Sequence, residues 1–243
     1  MKIQSVPSPN FGVRNTDIID LLILHYTGMS DVQHACVRLC DESAEVSAHY
    51  LVGDDGKIFQ LVDEDKRAWH AGVSSWRGCS DINSRSIGIE IQNRGHEGGL
   101  PEFPKHQISA VIALVDKIIS RNGIIGSGIL AHSDVAPERK IDPGERFPWK
   151  ALFEAGIGVW LPSPGNMIFE QEEDACGRQI EAMQQKLQAI GYCIDVTGWL
   201  DPVSVNVITA FQRHWRPERV DGRADRATLL QIERIFALVN VGH

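Results

Sequence analysis

The sequence predicts an α/β domain followed by a small three-helix bundle. Two observations predict it. Apolar, β-rich runs surround one long helical stripe in the N-terminal part, whereas the C-terminal part carries only amphipathic helical stripes. Between them, residues 160–167 (WLPSPGNM) gather prolines, a glycine and a serine into a linker-like break. The expected segments are a catalytic domain over 1–160, a linker over 161–172 and a helical domain over 173–243.

Residues 21–27 (LLILHYT) form an apolar run ending in a ligand-capable side chain. Residues 48–62 (AHYLVGDDGKIFQLV) read as a hairpin, two strands around Asp54-Asp55-Gly56. Residues 86–93 (SIGIEIQN) make another apolar strand with Glu90 embedded in it. Pro104 can open a helix in which Ile108, Val111, Ile112, Val115, Ile118 and Ile119 recur at helical spacing, and Asn122-Gly123 stops it. Residues 129–135 (ILAHSDV) read as a short strand with a histidine at its end. Past the break, Ile180, Met183, Leu187 and Ile190 form one stripe closed by Gly191. Val203, Val207, Ala210 and Phe211 form a second, and Leu229, Leu230, Ile232, Ile235 and Phe236 a third. These stripes are expected to bury a small core of their own.

Composition narrows the function. The 243 residues carry 24 Lys and Arg against 32 Asp and Glu, a formal net charge of −8. An acidic chain without basic runs argues against nucleic acid and against an anionic membrane surface. No window is long and apolar enough for a membrane span or a secretory leader, so a native N-terminus implies the cytoplasm; a removed leader would imply the periplasm or cell envelope. The five cysteines (Cys36, Cys40, Cys79, Cys176, Cys193) are odd in number and scattered, which fits reduced thiols. Cys36 and Cys40, near His34, read either as a metal pair or as a small buried helix face.

No HExxH, CxxC pair, GxSxG elbow or Walker loop is present. What remains is His25, Glu90, His132, Lys140 and Asp142, each within or just beyond an apolar strand. Two imidazoles and one carboxylate suit Zn²⁺ with a fourth position left for water. Glu90 then has the chemistry of a general base and Lys140 that of an oxyanion stabiliser. Read by spacing alone, a lone histidine of this kind is more often a satisfied polar group than a ligand.

The motifs ILHYTG (23–28), VSAHYLV (46–52), WHAG (69–72), SIGIEIQN (86–93) and AHSDVAPERKIDPG (131–144) resemble the type 2 N-acetylmuramoyl-L-alanine amidases, over about residues 18–155. That family includes muropeptide-recycling and envelope amidases, with phage amidase lysozymes and peptidoglycan-recognition proteins as distant members. The resemblance implies a mixed central β-sheet flanked by helices and one zinc ion per chain. It implies His25, His132 and Asp142 as ligands, Glu90 as the catalytic carboxylate and Lys140 as the transition-state stabiliser. It also implies hydrolysis of the amide between N-acetylmuramic, or anhydro-muramic, acid and L-alanine, with peptidoglycan or soluble muropeptides as partners. Tyr26, Trp69, His70, Asn83 and Arg85 are candidate substrate contacts; Trp69 reads equally as a half-buried core aromatic, and Asn83 and Arg85 as solvated loop polars.

The C-terminal segments QQKLQAIGY (184–192), TGWLDPVSVNVITAFQRHW (197–215) and VDGRADRATLLQI (220–232) resemble the three-helix peptidoglycan-binding domain appended to wall hydrolases. All five candidate catalytic residues precede the linker, so the chemistry is expected to be complete without the bundle. A non-cutting recognition module and an amidohydrolase acting on a non-wall amide are the competing readings. Loss of a ligand would favour the first, and this chain keeps all three.

Overall fold

The computed structural model describes residues 2–164 and 177–240. Residues 165–172 of the expected linker, 173–176 and 241–243 of the expected helical segment, and with them Cys176, lie outside the described residues.

The chain runs β1 (Ile3–Ser5), β2 (Phe11–Val13), β3 (Leu21–Tyr26), α1 (Val32–Cys40), β4 (Tyr50–Val52), β5 (Ile58–Gln60), β6 (Lys66–Ala68), α2 (Ile82–Arg85), β7 (Ser86–Ile91), α3 (Lys105–Asn122), β8 (Ile129–Ala131), α4 (His132–Val135), α5 (Trp149–Glu154), α6 (Arg178–Ile190), α7 (Pro202–Trp215) and α8 (Arg226–Asn240). Six strands form one sheet in the order β1-β5-β4-β7-β3-β8, and β2 pairs with β6 apart from it. The sheet is mixed: β3 is parallel to β7 and β8, β4 is parallel to β7, and only the β4–β5 hairpin is antiparallel.

The two central strands are covered on both faces, which is why they read as unbroken apolar runs rather than alternating ones. Leu22, Leu24, Ile87, Ile89 and Ile91 pack on one face with Ile108, Val111, Val115 and Ile118 of α3. Leu21 and Ile23 point the other way and join a cluster that holds Trp76, Ile82 and Val135 together with Met183, Leu187, Ile190 and Phe211. Here the structure departs from the expected self-contained bundle. A unit this small is marginal on its own, and α6–α8 share one core with the sheet domain. Gly191 marks the closest approach: its φ is +143°, and a Cβ there would lie 2.4 Å from the Trp76 ring. Its carbonyl accepts the Arg77 N–H at 2.8 Å.

Within the bundle, two buried glutamines pin the loops. The Gln184 Oε1 accepts the N–H groups of Thr197 (2.9 Å) and Gly198 (2.8 Å), and the Gln212 Oε1 accepts those of Asp221 (3.0 Å) and Gly222 (2.8 Å). Each glutamine supplies the acceptor for a tight loop that cannot pair its own backbone.

Another difference concerns residues 129–135. β8 ends at Ala131, and His132 opens a helical turn instead of ending a strand. The Asp134 carboxylate accepts the Ala131 N–H at 2.8 Å and so caps that turn. Cys36 and Cys40 take the buried-face role beside Ala35, Leu39 and Leu51, while His34 faces outward to Asp31. Among the described residues no helix is long and apolar enough to cross a membrane.

Candidate active site

The site lies at the carboxyl ends of the parallel strands, where such sheets leave a crevice. Register places His25 of β3 directly beside Glu90 of β7, and Ile23 beside Gly88. His132 follows β8 immediately, and Ser133 N–H donates to the Asp142 carbonyl at 3.0 Å, which folds the 136–142 loop back over the strand ends. The cleft so formed has a volume of about 360 Å³, and Tyr26, Trp69, His70, Glu90, His132, Arg139, Lys140 and Asp142 are among its walls.

Three buried donors converge in it: His25 Nδ1, His132 Nδ1 and Asp142 Oδ2. The two nitrogens are 2.9 Å apart, and the carboxylate oxygen is 3.1 Å from the first and 3.0 Å from the second. The surrounding hydrogen bonds decide which face of each ring carries a lone pair. Ser86 Oγ–H donates to the Ile82 carbonyl (2.7 Å), so its oxygen accepts from His70 Nε2–H (3.1 Å). His70 Nδ1 then accepts from His25 Nε2–H (3.1 Å), leaving His25 Nδ1 unprotonated. His132 Nε2–H donates to the Ala71 carbonyl (3.1 Å), leaving its Nδ1 unprotonated too. Two lone pairs and a carboxylate oxygen therefore meet with no proton assigned between them. A cation resolves that repulsion, and outer partners that fix the tautomer are the usual support for metal-bound histidine. Tetrahedral zinc with bonds of ~2.0–2.1 Å spaces its ligands about 3.3–3.4 Å apart, slightly wider than this cluster. The residues fit the ion.

Electrostatics agree with the geometry. Burial, then the neighbouring His132, pushes the His25 imidazole down to about 4. Burial, then His25 and His49, holds His70 well below its ordinary value. Burial opposes the charge on Asp142, and only positive charge or a proton on the facing His132 and His25 holds the carboxyl well below the usual range; with both Nδ1 lone pairs turned inward, a cation is what supplies that charge. Glu90 goes the other way: burial and the charge of Asp142 raise it well above the carboxylate range, with Lys140 opposing. Its Oε2 is buried without a hydrogen-bond partner. An unpaired buried carboxyl oxygen is costly, and beside a three-donor cluster it is available for proton transfer.

Comparison with known proteins agrees with this arrangement. Residues 14–145 match the N-acetylmuramoyl-L-alanine amidase family, and residues 176–232 match a peptidoglycan binding domain family. The chain belongs to this amidase family. It is 38% identical over 225 residues to the N-acetylmuramoyl-L-alanine amidase AmiD of Escherichia coli, covering 86% of this chain and 79% of that protein. It is 42% identical over 168 residues to the 1,6-anhydro-N-acetylmuramyl-L-alanine amidase AmpD of Citrobacter freundii, covering 62% of this chain and 87% of the relative. The solved complex of E. coli AmiD with anhydro-N-acetylmuramic acid-L-Ala-D-gamma-Glu-L-Lys superposes with a TM-score of 0.78 at 36% identity, covering 91% of this chain and 90% of that one. The complex of Pseudomonas aeruginosa AmpDh3 with anhydromuramic pentapeptide gives 0.75 at 31% identity, covering 91% and 92%.

In this amidase Glu90, His132, Lys140 and Asp142 line one cleft, and His25, buried behind its wall, meets it through the Nδ1 that faces His132 and Asp142. Of the candidate substrate contacts, Tyr26, Trp69 and His70 also line it. The ring nitrogens of His70 are engaged by His25 and Ser86, so its geometry is that of a support behind His25. The structure does not bring Asn83 and Arg85 to the cleft. Asn83 Oδ1 accepts the N–H groups of His70 (3.1 Å) and Ala71 (2.8 Å), and the Arg85 guanidinium pairs with Asp20. Asn83 thus shapes the backbone beside the site, whereas Arg85 is taken up by an ion pair at the opposite, amino end of the strands.

Sequence reasoning missed Ser86, Gly88 and the Ala71 carbonyl. Ser86, Gly88 and Glu90 share one face of β7, a period-two signal that could have been read. Gly88 is needed there because a Cβ would sit 2.4 Å from the His70 ring. The Ala71 carbonyl carries no side-chain signal.

Proposed function

We propose that this amidase is a zinc enzyme that hydrolyses the amide joining N-acetylmuramic or anhydro-muramic acid to the L-alanine of a stem peptide, in peptidoglycan turnover or recycling. The convergence of His25 Nδ1, His132 Nδ1 and Asp142 Oδ2, each turned lone pair inward, carries this reading. The relatives crystallised with anhydro-muramic peptides support the substrate class. The catalytic segment is 1–160, and 173–243 forms a peptidoglycan-binding-like segment.

His25, His132 and Asp142 would hold one zinc ion, with Glu90 and Lys140 as the reacting side chains beside it. When bound, zinc polarises the scissile carbonyl and acidifies water. Glu90 accepts a proton from the attacking water and delivers it to the leaving alanine nitrogen; its raised affinity for a proton suits both halves of that transfer. Lys140, on the cleft wall, offsets the negative charge that develops on the carbonyl oxygen. Arg38 and Arg139 add positive charge to the same wall, which suits the carboxylates of a stem peptide.

The test is mass analysis of products from anhydro-muramoyl peptides and from intact sacculi, with metal analysis of protein purified without chelator. Free stem peptide beginning at L-alanine and near-stoichiometric zinc are expected. Shortened peptides or released disaccharides would overturn the reaction, and zinc-free active protein would overturn the cofactor.

A further inference from the structure

The helical segment reaches the metal-ligand turn through one buried carboxylate. Asp134, in α4, is 0% exposed. Its Oδ2 accepts the Ala131 N–H at 2.8 Å, which closes the turn that begins at His132. Its other two hydrogen bonds come from across the chain: Tyr192 Oη–H donates to Oδ1 at 2.7 Å, and His214 Nδ1–H donates to Oδ2 at 2.7 Å. The His214 ring is itself clamped, stacked 3.7 Å from Trp149 and 3.8 Å from Trp215. Tyr192 packs edge-on to Trp76 at 4.9 Å. Neither donor is free to turn away.

A carboxylate in a dry interior persists only where its hydrogen-bonding capacity is met. Without Tyr192 and His214, Asp134 would keep one of its three bonds and would have to reorganise. The turn that would move with it carries His132, and Ser133 N–H ties that turn to the Asp142 backbone. Two of the three metal donors thus depend on one knot, and such sites tolerate displacements of only about 0.5 Å.

We propose that Tyr192 and His214 are positioning residues for the metal centre, holding His132 and Asp142 in place through Asp134. The peptidoglycan-binding-like segment is then a structural part of the catalytic centre as well as a neighbour of it. This rests on the zinc reading above, and it runs against the expectation that the chemistry is complete without the bundle.

The experiment uses the full chain and reads zinc affinity by chelator competition and the visible spectrum of the Co²⁺-substituted protein. Tyr192→Phe and His214→Leu each remove one donor to Asp134. His214→Asn keeps an N–H near the Nδ1 position. Met183→Ala opens a void where α6 packs on α8, beside Leu229 and Ile232, and removes no hydrogen bond to Asp134. Tyr192→Phe and His214→Leu are expected to weaken zinc by about 10–100-fold and to shift the Co²⁺ bands. His214→Asn should recover most of the affinity. Met183→Ala should lower the melting temperature and leave affinity and spectrum unchanged. Zinc affinity within twofold of wild type in Tyr192→Phe and His214→Leu would overturn the proposal. So would an equal loss in Met183→Ala, which would mark a general stability effect. A wild-type chain that binds neither metal would overturn the zinc reading and this inference with it.

Discussion

Acidification should destabilise this amidase through a histidine outside the His25–His132–Asp142 cluster. His49, just before β4, is fully buried with its ring held between β7 and β6. Its Nδ1 accepts the Gly88 N–H at 2.9 Å, so the proton sits on Nε2, which donates to the Lys66 carbonyl at 3.1 Å. Protonating Nδ1 would set one N–H against another, and the Arg14 guanidinium already lies 3.0 Å from the ring. Burial, with Arg14 adding to it against the Lys66 carbonyl, pushes this imidazole down to about 3. Its ordinary value is ~6.5. The folded-state value is depressed, so the unfolded chain takes up the proton first. Stability is full above about pH 6.5 and falls as pH drops from there towards 3. At pH 4.5 the loss from this group is about 2–3 kcal/mol, two pH units at ~1.36 kcal/mol each. The assay is urea unfolding followed by tryptophan fluorescence between pH 7 and 4.5, on wild type and His49→Asn. An Asn Oδ1 can still accept from Gly88, while the Lys66 carbonyl loses its donor, so the variant should be about 1–3 kcal/mol less stable at pH 7. Its stability should then fall less steeply with acid, by close to one proton. Contributions from groups remote from His49 are common to both proteins and cancel in the difference; His70, whose ring lies 5.7 Å from that of His49, is held down partly by it, so its change adds to the difference in the same direction. Identical pH slopes for the two proteins would refute the reasoning.

Three further outcomes are expected. His132→Ala should purify with well under stoichiometric zinc by elemental analysis, and full zinc content would remove His132 from the ligand set. Glu90→Gln and Lys140→Ala should keep zinc and fold while each losing roughly 10²–10⁴-fold in kcat on an anhydro-muramoyl peptide; near-normal turnover in either would refute its role. Gly88→Ala should force the His70 ring off His25, costing about 1–3 kcal/mol in thermal unfolding and weakening zinc, because the added Cβ would lie 2.4 Å from that ring; an unchanged zinc affinity would mean His70 does not support His25.

The sequence by itself determined the local elements and the chemical parts. The run at 21–26, the β4–β5 hairpin and the long helix ending at Asn122 are set by side-chain period and by turn residues, and both are properties of short segments. His25, Glu90, His132, Lys140 and Asp142 were legible for a related reason: each is a polar side chain in or just after an apolar run, and their motifs match a family. Only the tertiary structure decided what those groups face. His25 meets Asp142 across 117 residues of chain, brought together by the β3–β8 pairing and by the Ser133–Asp142 backbone bond that folds the following loop over the strand ends. The assignment of lone pairs to the cleft depends on Ser86 and on a backbone carbonyl at Ala71, and a carbonyl looks the same at every position in a sequence. Asn83 and Arg85 show the converse, since a polar residue near a motif can be consumed by the backbone or by a surface partner such as Asp20. The packing of α6–α8 onto the sheet was likewise hidden. An amphipathic stripe reveals that a face must be buried, and only the assembled fold supplies the surface that buries it.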